Sequence, residues 1–388
     1  MYRLFRNLRV VIIGAGLLCL MSPLGASSVH LVYIGTTPKD PLDEGQGIYR
    51  VWLDGDTGKL TEPVLVAQAK TRPAFLAMSP NGKNLYATVV LDKPVKGMKA
   101  GVSAYAIDAE TGGLDLLNTQ STAGNVGAHL VVDNTGSSLF YANYASASVV
   151  CFPLGDDGSI GKLKSFVSLP GGTGVNPQRQ KTSCPHSVML SSDNRFLFVP
   201  SLGLDATVRV RFDDSASTIE LDDLAAHRSA PGAGPRHAKF SNDGRIFYVL
   251  NELNNTVDVL AYESSDGSLS PLQTISTLPD GFVGSSTSAE IRVHPNGKFV
   301  YTSNRGHDSI AVFSRNSDSG RLSLVEIVAS GGQRPRNFAL SADGAWLLCA
   351  NQDSNNLIVF AVDQETGRLE QSSDEVNLNS PLCVLFAH

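Results

Sequence analysis

Charged side chains are scarce in this sequence: they make up 18% of the 388 residues, below the roughly one quarter usual for soluble domains. Basic residues are outnumbered by acidic ones, 31 against 37, and no run of five like charges occurs. The formal charge of -6 excludes the basic surface that nucleic acid or an anionic membrane requires. The 36 glycines and 19 prolines, in place of long-helix formers, also exclude a helical bundle.

Cysteine is rare as well, and four of the five cysteines lie beyond the N-terminal segment: Cys151, Cys184, Cys349 and Cys383. In an oxidising compartment these four could pair in three ways, or they could stay buried as free thiols, and the sequence leaves both possibilities open. Neither a CxxC pair nor a histidine-cysteine spacing typical of zinc is present. We therefore expect no metal site and no cofactor.

The longest N-terminal apolar run is too short for a membrane span, because Val10–Met21 provides 12 residues where a span needs roughly 20. Three arginines precede this run and small residues follow it up to Ala26, as in a cleaved export signal. An uncleaved anchor is the weaker alternative. We expect residues 1–26 to be removed, leaving a periplasmic or secreted protein without a stable membrane anchor.

An internal repeat organises the rest of the chain. Its clearest copy starts at Pro235, passes a turn at Asp243-Gly244 and continues into an aromatic-rich strand that ends at Asn251. Each copy then has a second alternating run and a Gly-x-Leu or Gly-x-Ile turn, although the copy near Ser217 lacks that glycine. The other first turns lie at Asn81-Gly82, Thr135-Gly136, Asp193-Asn194, Asn296-Gly297 and Asp343-Gly344.

This repeat predicts an all-β fold, because period-two patterning between glycine-containing turns indicates four short antiparallel strands per unit of roughly 50 residues. Such units are typical of propeller blades. The start of the repeat region, Leu31–Gly35, matches the second strand of a unit, and Ser380–Val384 matches the first strand. Pairing the C-terminal strand with the N-terminal strands closes the ring, so we expect residues 27–388 to form one seven-bladed propeller. A tandem β-sandwich would not explain these complementary half-units.

The spacing around the first turn also predicts a polar site. Residues equidistant from a hairpin turn are expected to be cross-strand neighbours. Arg236 lies eight residues before Gly244 and Glu252 eight after it, so the two should be adjacent at one end of the hairpin. Equivalent offsets place His186, Arg305 and Arg336 at the same face, at the mouth of the central channel.

Comparison among the copies separates scaffold from candidate function. The position before Glu252 is Asn in four copies, Asn304 among them, which favours a repeated strand-end cap. The position of Glu252 itself differs in every copy, namely Val90, Tyr144, Leu202, Glu252, Arg305 and Gln352. The position of Arg236 reads Ala74, Ala128, His186, Arg236, Ala289 and Arg336. Ionisable groups thus collect on one side of the rim, which suggests a site.

Structural roles are the alternatives for these residues. Glu252 with Arg236 could be a simple cross-strand ion pair, and His186 a rim histidine with satisfied hydrogen bonds. His237 and His129 point to the other side of their strands, which favours packing or support of the site. Glu290 falls near the same face.

Cys184 and His307 are the weaker candidates near this face. No helix N-terminus or base is placed to activate Cys184, which favours a structural thiol. His307 follows Arg305 in what should be an exposed turn.

The motifs at these positions resemble those of the seven-bladed propeller lactonases, the bacterial 6-phosphogluconolactonase type, which are similar also to fungal carboxy-muconate lactonising enzymes. The resemblance spans the chain beyond the leader, with order and spacing kept. The motifs are Cys184-Pro185-His186-Ser187, Gly234-Pro235-Arg236-His237, Asn251-Glu252-Leu253, Ser303-Asn304-Arg305 and Arg334-Pro335-Arg336-Asn337-Phe338.

The resemblance implies a metal-independent lactone hydrolase that acts at the channel mouth. Its implied catalytic residues are His186, Arg236, Glu252 and Arg305, and its expected substrate-binding residues are Arg336, His237, Asn304 and Glu290. Either Glu252 or His186 would take the proton of the attacking water, while the arginines would hold an anion or face the oxyanion.

The expected partner is a small-molecule lactone that carries negative charge. The export signal departs from the family pattern, since a phosphorylated lactone of central metabolism is cytoplasmic. A cycloisomerase acting on unsaturated dicarboxylates and a non-catalytic binding propeller are the alternatives. A closed ring gives no reason to expect an oligomer, so we expect a monomer.

Overall fold

Seven antiparallel sheets of four strands each make up the described part of the protein, which a computed structural model defines for residues 29–37, 47–68 and 72–387. The predicted export signal, residues 1–26, lies outside these residues. A search of the described residues finds no helix with the length and hydropathy needed to cross a membrane. Within these ranges the one helical element is a single 3-10 turn, Leu202–Leu204.

The strands are short and follow one another along the chain. The first fourteen are β1 (Val29–Thr36), β2 (Gly47–Asp54), β3 (Val64–Gln68), β4 (Leu76–Met78), β5 (Asn84–Val95), β6 (Met98–Ile107), β7 (Leu114–Ser121), β8 (Gly127–Val132), β9 (Ser138–Asn143), β10 (Ser148–Pro153), β11 (Ser165–Ser168), β12 (Met189–Leu190), β13 (Phe196–Ser201) and β14 (Ala206–Asp213). The remaining fourteen are β15 (Thr218–Arg228), β16 (Pro235–Phe240), β17 (Ile246–Asn251), β18 (Thr256–Glu263), β19 (Ser268–Ser276), β20 (Thr287–Val293), β21 (Phe299–Arg305), β22 (Ser309–Arg315), β23 (Leu322–Ala329), β24 (Pro335–Leu340), β25 (Trp346–Asn351), β26 (Asn356–Val362), β27 (Leu369–Asn377) and β28 (Pro381–Phe386).

Each sheet is one blade. We number blade 1 as β4–β7, and blades 2 to 6 follow in groups of four strands up to β27. Blade 7 is assembled from both ends of the described chain in the order β28-β1-β2-β3. In it, Val32 pairs with Phe386 and Ile34 with Val384. The predicted seven-bladed propeller and its closure by the C-terminal strand are therefore confirmed.

The first turn of every repeat has a shared backbone conformation. Its glycine, or Asn194 in blade 3, has a positive φ between 60° and 78° in all six copies, a region that side chains with a Cβ disfavour. In blade 4 the amide of Gly244 donates to the carbonyl of Ser241, and the Ser241 hydroxyl accepts from the amide of Ile246. A side-chain acceptor thus stabilises the turn from inside, which explains the serine before most of these turns.

The aromatic residues of the second strands and the glycines of the outer turns lock neighbouring blades together. Four buried tyrosines donate from their hydroxyls to the carbonyl of the glycine in the next blade's outer turn: Tyr33 to Gly112, Tyr86 to Gly158, Tyr248 to Gly320 and Tyr301 to Gly367. In blade 2 the equivalent residue is Phe140, which has no hydroxyl, and the outer turn of blade 3 is the copy without glycine. The tyrosine of the second strand and the glycine of the outer turn therefore recur because they form one hydrogen bond between neighbouring blades.

The register at the channel mouth differs from the prediction. Pro235 pairs with Asn251 but His237 pairs with Leu250, so Arg236 is the extra residue of a β-bulge and the backbone carbonyl of Gly234 accepts from the amide of Glu252. Blades 2, 5 and 6 have a register shift at the same place. Arg236 and Glu252 are adjacent as expected, with Nη1 of Arg236 2.7 Å from Oε2 of Glu252, but the contact arises through a bulge and not through a regular cross-strand pair.

Candidate active site

A cavity of about 570 Å³ opens at the channel mouth. It is bounded by residues from blades 1 to 6 and by the loops between them. Among the described residues that line it, six arginines face three carboxylates, an excess of positive charge that suits an anionic ligand. These are Arg72, Arg179, Arg236, Arg305, Arg334, Arg336, Glu252, Asp308 and Asp353.

Glu252 lies at the centre of the polar cluster. Its side chain is 2% exposed, and Oε2 lies 2.7 Å from Nη1 of Arg236 and 3.2 Å from Nη2 of Arg305. Burial alone would raise the pKa of Glu252, but Arg305 and Arg236 outweigh it and hold the pKa well below its usual value. Glu252 is therefore an ionised carboxylate that neutralises guanidiniums, and it is poorly suited to accept a proton.

The second oxygen of this carboxylate binds Arg179, which the sequence analysis missed. Nη2 of Arg179 donates to Oε1 of Glu252 at 2.6 Å, and the side chain is about a third exposed at the cavity wall. Arg179 sits in the long connection between β11 and β12, outside the repeat, so register could not place it. The unusual length of that connection is the one feature of the sequence that could have indicated a role for this segment at the site.

Asp205 anchors this connection to the rest of the mouth. The buried carboxylate accepts hydrogen bonds from the Gln180 side chain at 2.6 Å and the Thr173 hydroxyl at 3.1 Å. It also accepts from the amides of Gly232 and Gly234, the residues that lead into Arg236. One carboxylate thus fixes both the segment that carries Arg179 and the segment that carries Arg236.

Backbone carbonyls of blade 5 orient the two arginines on Glu252. Nε of Arg236 donates to the carbonyl of Ala289 at 2.8 Å, and Arg305 donates to the carbonyls of Thr287 and Ser288. Burial lowers the pKa of Arg305 to about 10, although Glu252 opposes the shift. Both groups are cations held in fixed orientations.

His186 completes the cluster from blade 3. Its Nε2 hydrogen bonds to Nη1 of Arg236 and lies 3.8 Å from Oε2 of Glu252. Burial lowers the pKa of His186 well below 6.5, and Arg236 lowers it further. The imidazole is neutral at physiological pH, and since a guanidinium can only donate, Nε2 is assigned as the acceptor.

Arg336 is placed differently from the other buried arginines. It lines the cavity from the bulge of blade 6, yet its guanidinium makes no hydrogen bond or ion pair with any described residue. Burial lowers the pKa of Arg336 well below its usual value, and Arg236 and Arg305 act in the same direction. A partly buried cation without a partner in the described part of the chain is a ready site for an anion.

His237 and Glu290 lie beneath the cavity and do not line it. Nδ1 of His237 contacts Oε2 of Glu290 at 3.2 Å, and that same oxygen accepts from the Asn337 side chain. Burial lowers the pKa of His237 to about 4. The His237 and His186 rings are 5.4 Å apart, so the pair packs under the polar cluster instead of contacting a ligand in the cavity.

Asn304 lies between blades and away from the cavity. Its amide donates to the carbonyl of Thr277 at 2.8 Å and its oxygen accepts from the Thr277 and Ser288 hydroxyls. Asn143 makes the equivalent bonds to Thr122. The interpretation of these asparagines as repeated strand-end caps fits the structure, whereas the expectation that Asn304 contacts substrate does not.

The four cysteines of the described region are buried free thiols. Burial raises the pKa of Cys151 and of Cys383 to about 12. Cys184 sits with its sulfur 3.3 Å from the Thr182 hydroxyl. The paired alternative that the sequence left open is not adopted.

The site therefore combines a neutral imidazole, a set of oriented guanidiniums and an unpartnered cation in one cavity. Such a set can accept a proton from water, stabilise an oxyanion and hold a carboxylate or phosphate. No group of three or more metal-ligating side chains is found among the described residues.

Comparison with known proteins agrees with the fold. The family described as "Lactonase, 7-bladed beta-propeller" matches residues 31–386. A 6-phosphogluconolactonase of Bacillus subtilis is 36% identical, with 92% of this chain and 99% of that protein covered. One of Formosa agariphila is 36% identical over 79% of this chain and 86% of that protein. The solved structure of a periplasmic gluconolactonase from Pseudomonas aeruginosa is 30% identical, covers 93% of this chain and 99% of that one, and has a TM-score of 0.86.

Proposed function

The chain belongs to the seven-bladed β-propeller lactonase family, and from this premise we propose that it hydrolyses a sugar-acid lactone at the mouth of its channel. The observation that carries the proposal is the convergence of His186, Arg236, Glu252 and Arg305 from three consecutive blades on one cavity. The named lactonases among its relatives support the reaction class.

In the proposed mechanism a water molecule attacks the lactone carbonyl carbon and His186 accepts its proton. His186 suits this role better than Glu252, because its imidazole is neutral while the Glu252 carboxylate is engaged by three arginines. We propose that the bound lactone takes over the Nη1 donor of Arg236, which frees Nε2 of His186 for the water. The imidazolium that forms is stabilised by Glu252, 3.8 Å away.

Arg236 and Arg305 are proposed to stabilise the oxyanion of the tetrahedral intermediate. As the intermediate collapses, the bond between the carbonyl carbon and the ring oxygen breaks. The ring oxygen takes the proton from His186 and becomes a hydroxyl, and the open-chain acid that results releases its own proton to solvent and leaves as the carboxylate. Arg336 is proposed to hold an anionic group of the substrate, since it lines the cavity and has no partner among the described residues.

We also propose that the protein is exported. The basic, apolar and small-residue order of residues 1–26 supports this, as does the likeness to a protein named as a periplasmic gluconolactonase. Export would make an unphosphorylated lactone the more accessible substrate, and the anionic group held by Arg336 would then be a carboxylate. Cell fractionation tests export and N-terminal sequencing tests cleavage, and protein that stays in the cytoplasm with Met1 intact would contradict the proposal.

A panel of substrates tests the reaction itself. Gluconolactone, 6-phosphogluconolactone and cis,cis-muconate are offered separately, each with a chelator present, and product acid is followed by proton release. We expect lactone hydrolysis and no muconate consumption, and His186→Ala should lower kcat/KM by about 100-fold to 1000-fold, the usual range for a general base. His307→Ala is the matched control, because His307 lies outside the cavity. Full activity of His186→Ala, or consumption of muconate alone, would overturn the proposal.

A further inference from the structure

A second cavity of about 270 Å³ opens beside the site, between blades 1 and 2. It shares four lining residues with the main cavity, Arg72, Ala74, Val126 and Gly127. The two spaces are therefore neighbours with a common wall. The second cavity is therefore adjacent to any molecule held in the main cavity.

The second cavity has a different chemical character from the first. Its lining includes Val89, Val90 and Ala100 from β5 and β6 together with Val126. Val90 and Val126 keep 38% and 53% of their surface exposed, so both present apolar area that a ligand could cover. Lining of this kind favours hydrocarbon over sugar hydroxyls.

An extension of blade 1 builds the outer wall of this cavity. The β5–β6 ladder pairs Val90 with Ala100 and continues to Val95 opposite Met98. In blade 4 the same connection is a tight turn from Asn251 to Thr256. The apolar wall therefore comes from residues added to one blade, and the scaffold repeat does not require it.

Tyr141 is a second, independent indication of a ligand. It lines the cavity and is fully buried, yet its hydroxyl has no hydrogen-bond partner among the described residues. The four tyrosines that lock neighbouring blades all donate to carbonyls. A methyl group at Gly127 would lie 1.6 Å from Oη of Tyr141, so glycine lets the hydroxyl reach the wall common to both cavities. A buried donor without a partner is costly unless a ligand oxygen completes it.

We infer that the second cavity binds an apolar arm on the lactone substrate, an aliphatic or aryl substituent on the ring, with Tyr141 donating to an oxygen at its base. This inference rests on the proposed function. The volume corresponds to about nine water molecules of liquid, which gives room for an arm of roughly five to eight carbons. Arg72 and Lys99 leave the rim cationic, so the ring and the product carboxylate stay on the polar side.

A chain-length series tests the inference. The kcat/KM of the full-length mature protein is measured for δ-valerolactone, δ-octalactone, δ-decalactone and δ-dodecalactone, with gluconolactone as the reference lactone. We expect kcat/KM to rise roughly threefold for each added methylene until the arm fills the cavity, and then to level off. A flat profile, or one that falls from the shortest arm onward, would overturn the inference.

Substitutions at Val90 localise the effect. The readout is the ratio of kcat/KM for δ-decalactone to that for δ-valerolactone. Val90→Asp should bring this ratio close to one, and the isosteric Val90→Thr should lower it severalfold without altering the fold. Val64→Asp is the matched control, because Val64 is 44% exposed on β3 and lines neither cavity. An unchanged ratio in both Val90 variants would contradict the inference.

The reference lactone separates the two possible failures. Hydrolysis of gluconolactone without any dependence on arm length would overturn this inference alone. Absence of hydrolysis for every lactone would overturn the proposed function and the inference together.

Discussion

The two sides of the channel mouth occupy equivalent positions of one repeat and have opposite chemistry. At the bulge position blades 4 and 6 carry Arg236 and Arg336, whereas blades 1 and 2 carry Ala74 and Ala128. At the end of the second strand, blade 4 has Glu252 where blade 1 has Val90. The four-stranded blade is common to both sides, so side chains at equivalent positions, together with the extension of β5 and β6 in blade 1, decide what each side can bind.

The side chain at the bulge therefore determines the chemistry of the channel mouth more than the paired residues of the strands do. A bulge position is free of ladder constraints and points its side chain into the mouth, so charge or hydrocarbon can be placed there without disturbing the blade. The asparagines one position before Glu252 are the opposite case, since their hydrogen bonds tie blades together. Side chains can therefore vary at the bulge position, whereas substitution of these asparagines would destabilise the contact between blades.

Removing the carboxylate from the charged side should have the largest effect. Glu252→Gln leaves three guanidiniums without their counter-ion, so we expect kcat/KM for the best lactone to fall by about 1000-fold. The free energy of unfolding should fall by about 3 to 5 kcal/mol, because breaking a buried ion pair leaves uncompensated charge. Steady-state kinetics and urea unfolding measure the two effects.

Glu263→Gln serves as the control for this change, because Glu263 is an exposed carboxylate at the end of β18. It should alter neither quantity. Turnover of Glu252→Gln within a few-fold of the native protein would mean that the charged side is not the reacting side.

Making blade 6 resemble blades 1 and 2 should produce a smaller and more selective effect. Arg336→Ala installs the residue found at Ala74 and Ala128. We expect KM for an anionic lactone to rise by about 10-fold to 100-fold, with kcat changed less than about threefold, because a charged hydrogen bond to substrate is lost.

Stability supplies the check on this variant. Because Arg336 has no partner among the described residues, its loss should leave the melting temperature unchanged or raise it. A clear drop in melting temperature with KM unaffected would make Arg336 a structural residue instead.

Acidification should have the smallest effect on turnover and a gradual one on stability. Burial lowers the pKa of His129, His186 and His237 below 6.5, so the folded protein binds fewer protons than the unfolded chain between these folded pKa values and 6.5. Stability conferred by each neutral histidine is therefore complete above pH 6.5 and is lost as the pH falls. The loss is up to about 1.4 kcal/mol per pH unit for each histidine.

Two measurements check the effect of pH. The acid limb of the kcat/KM profile should lie below pH 6.5, because His186 stays neutral there. The slope of unfolding free energy against pH, taken between pH 6.5 and 5, should decrease in His237→Asn by about one histidine's contribution. His237 faces Glu290, Arg236 and Lys239, whose charges all bear on this shift. An unchanged slope would show that His237 does not contribute.

Much of the fold could be predicted from the sequence because it is repeated. Six turns in register fixed the blades, and the matching half-units at Leu31–Gly35 and Ser380–Val384 fixed the closure. Counting residues from a turn also brought Arg236 and Glu252 to one place, since a hairpin holds its ends together whether or not it contains a bulge. The bulge itself could not be predicted, because it does not change the pattern of apolar residues in the sequence.

The rest of the site could not be predicted from the sequence, because it does not follow the repeat. Arg179 belongs to a connection of unique length, and the apolar cavity depends on the extension of β5 and β6 beyond the blade. Asn304 was assigned to substrate although the same asparagine recurs in other copies, which was the better guide. Residues that recur in several copies can be assigned to the scaffold from the sequence. The position of residues outside the repeat is known only from the structure.

The composition of blade 7 has a consequence for how the protein matures. Its strands come from opposite ends of the described chain, so β1–β3 must wait, with one edge unpaired, until β28 has been synthesised. Blades 1 to 6 each consist of strands that are consecutive in the sequence. Blade 7, and with it the closed ring, also needs β28. Closure of the ring therefore depends on β28, and a chain that stops short of this strand would leave blade 7 without its first strand.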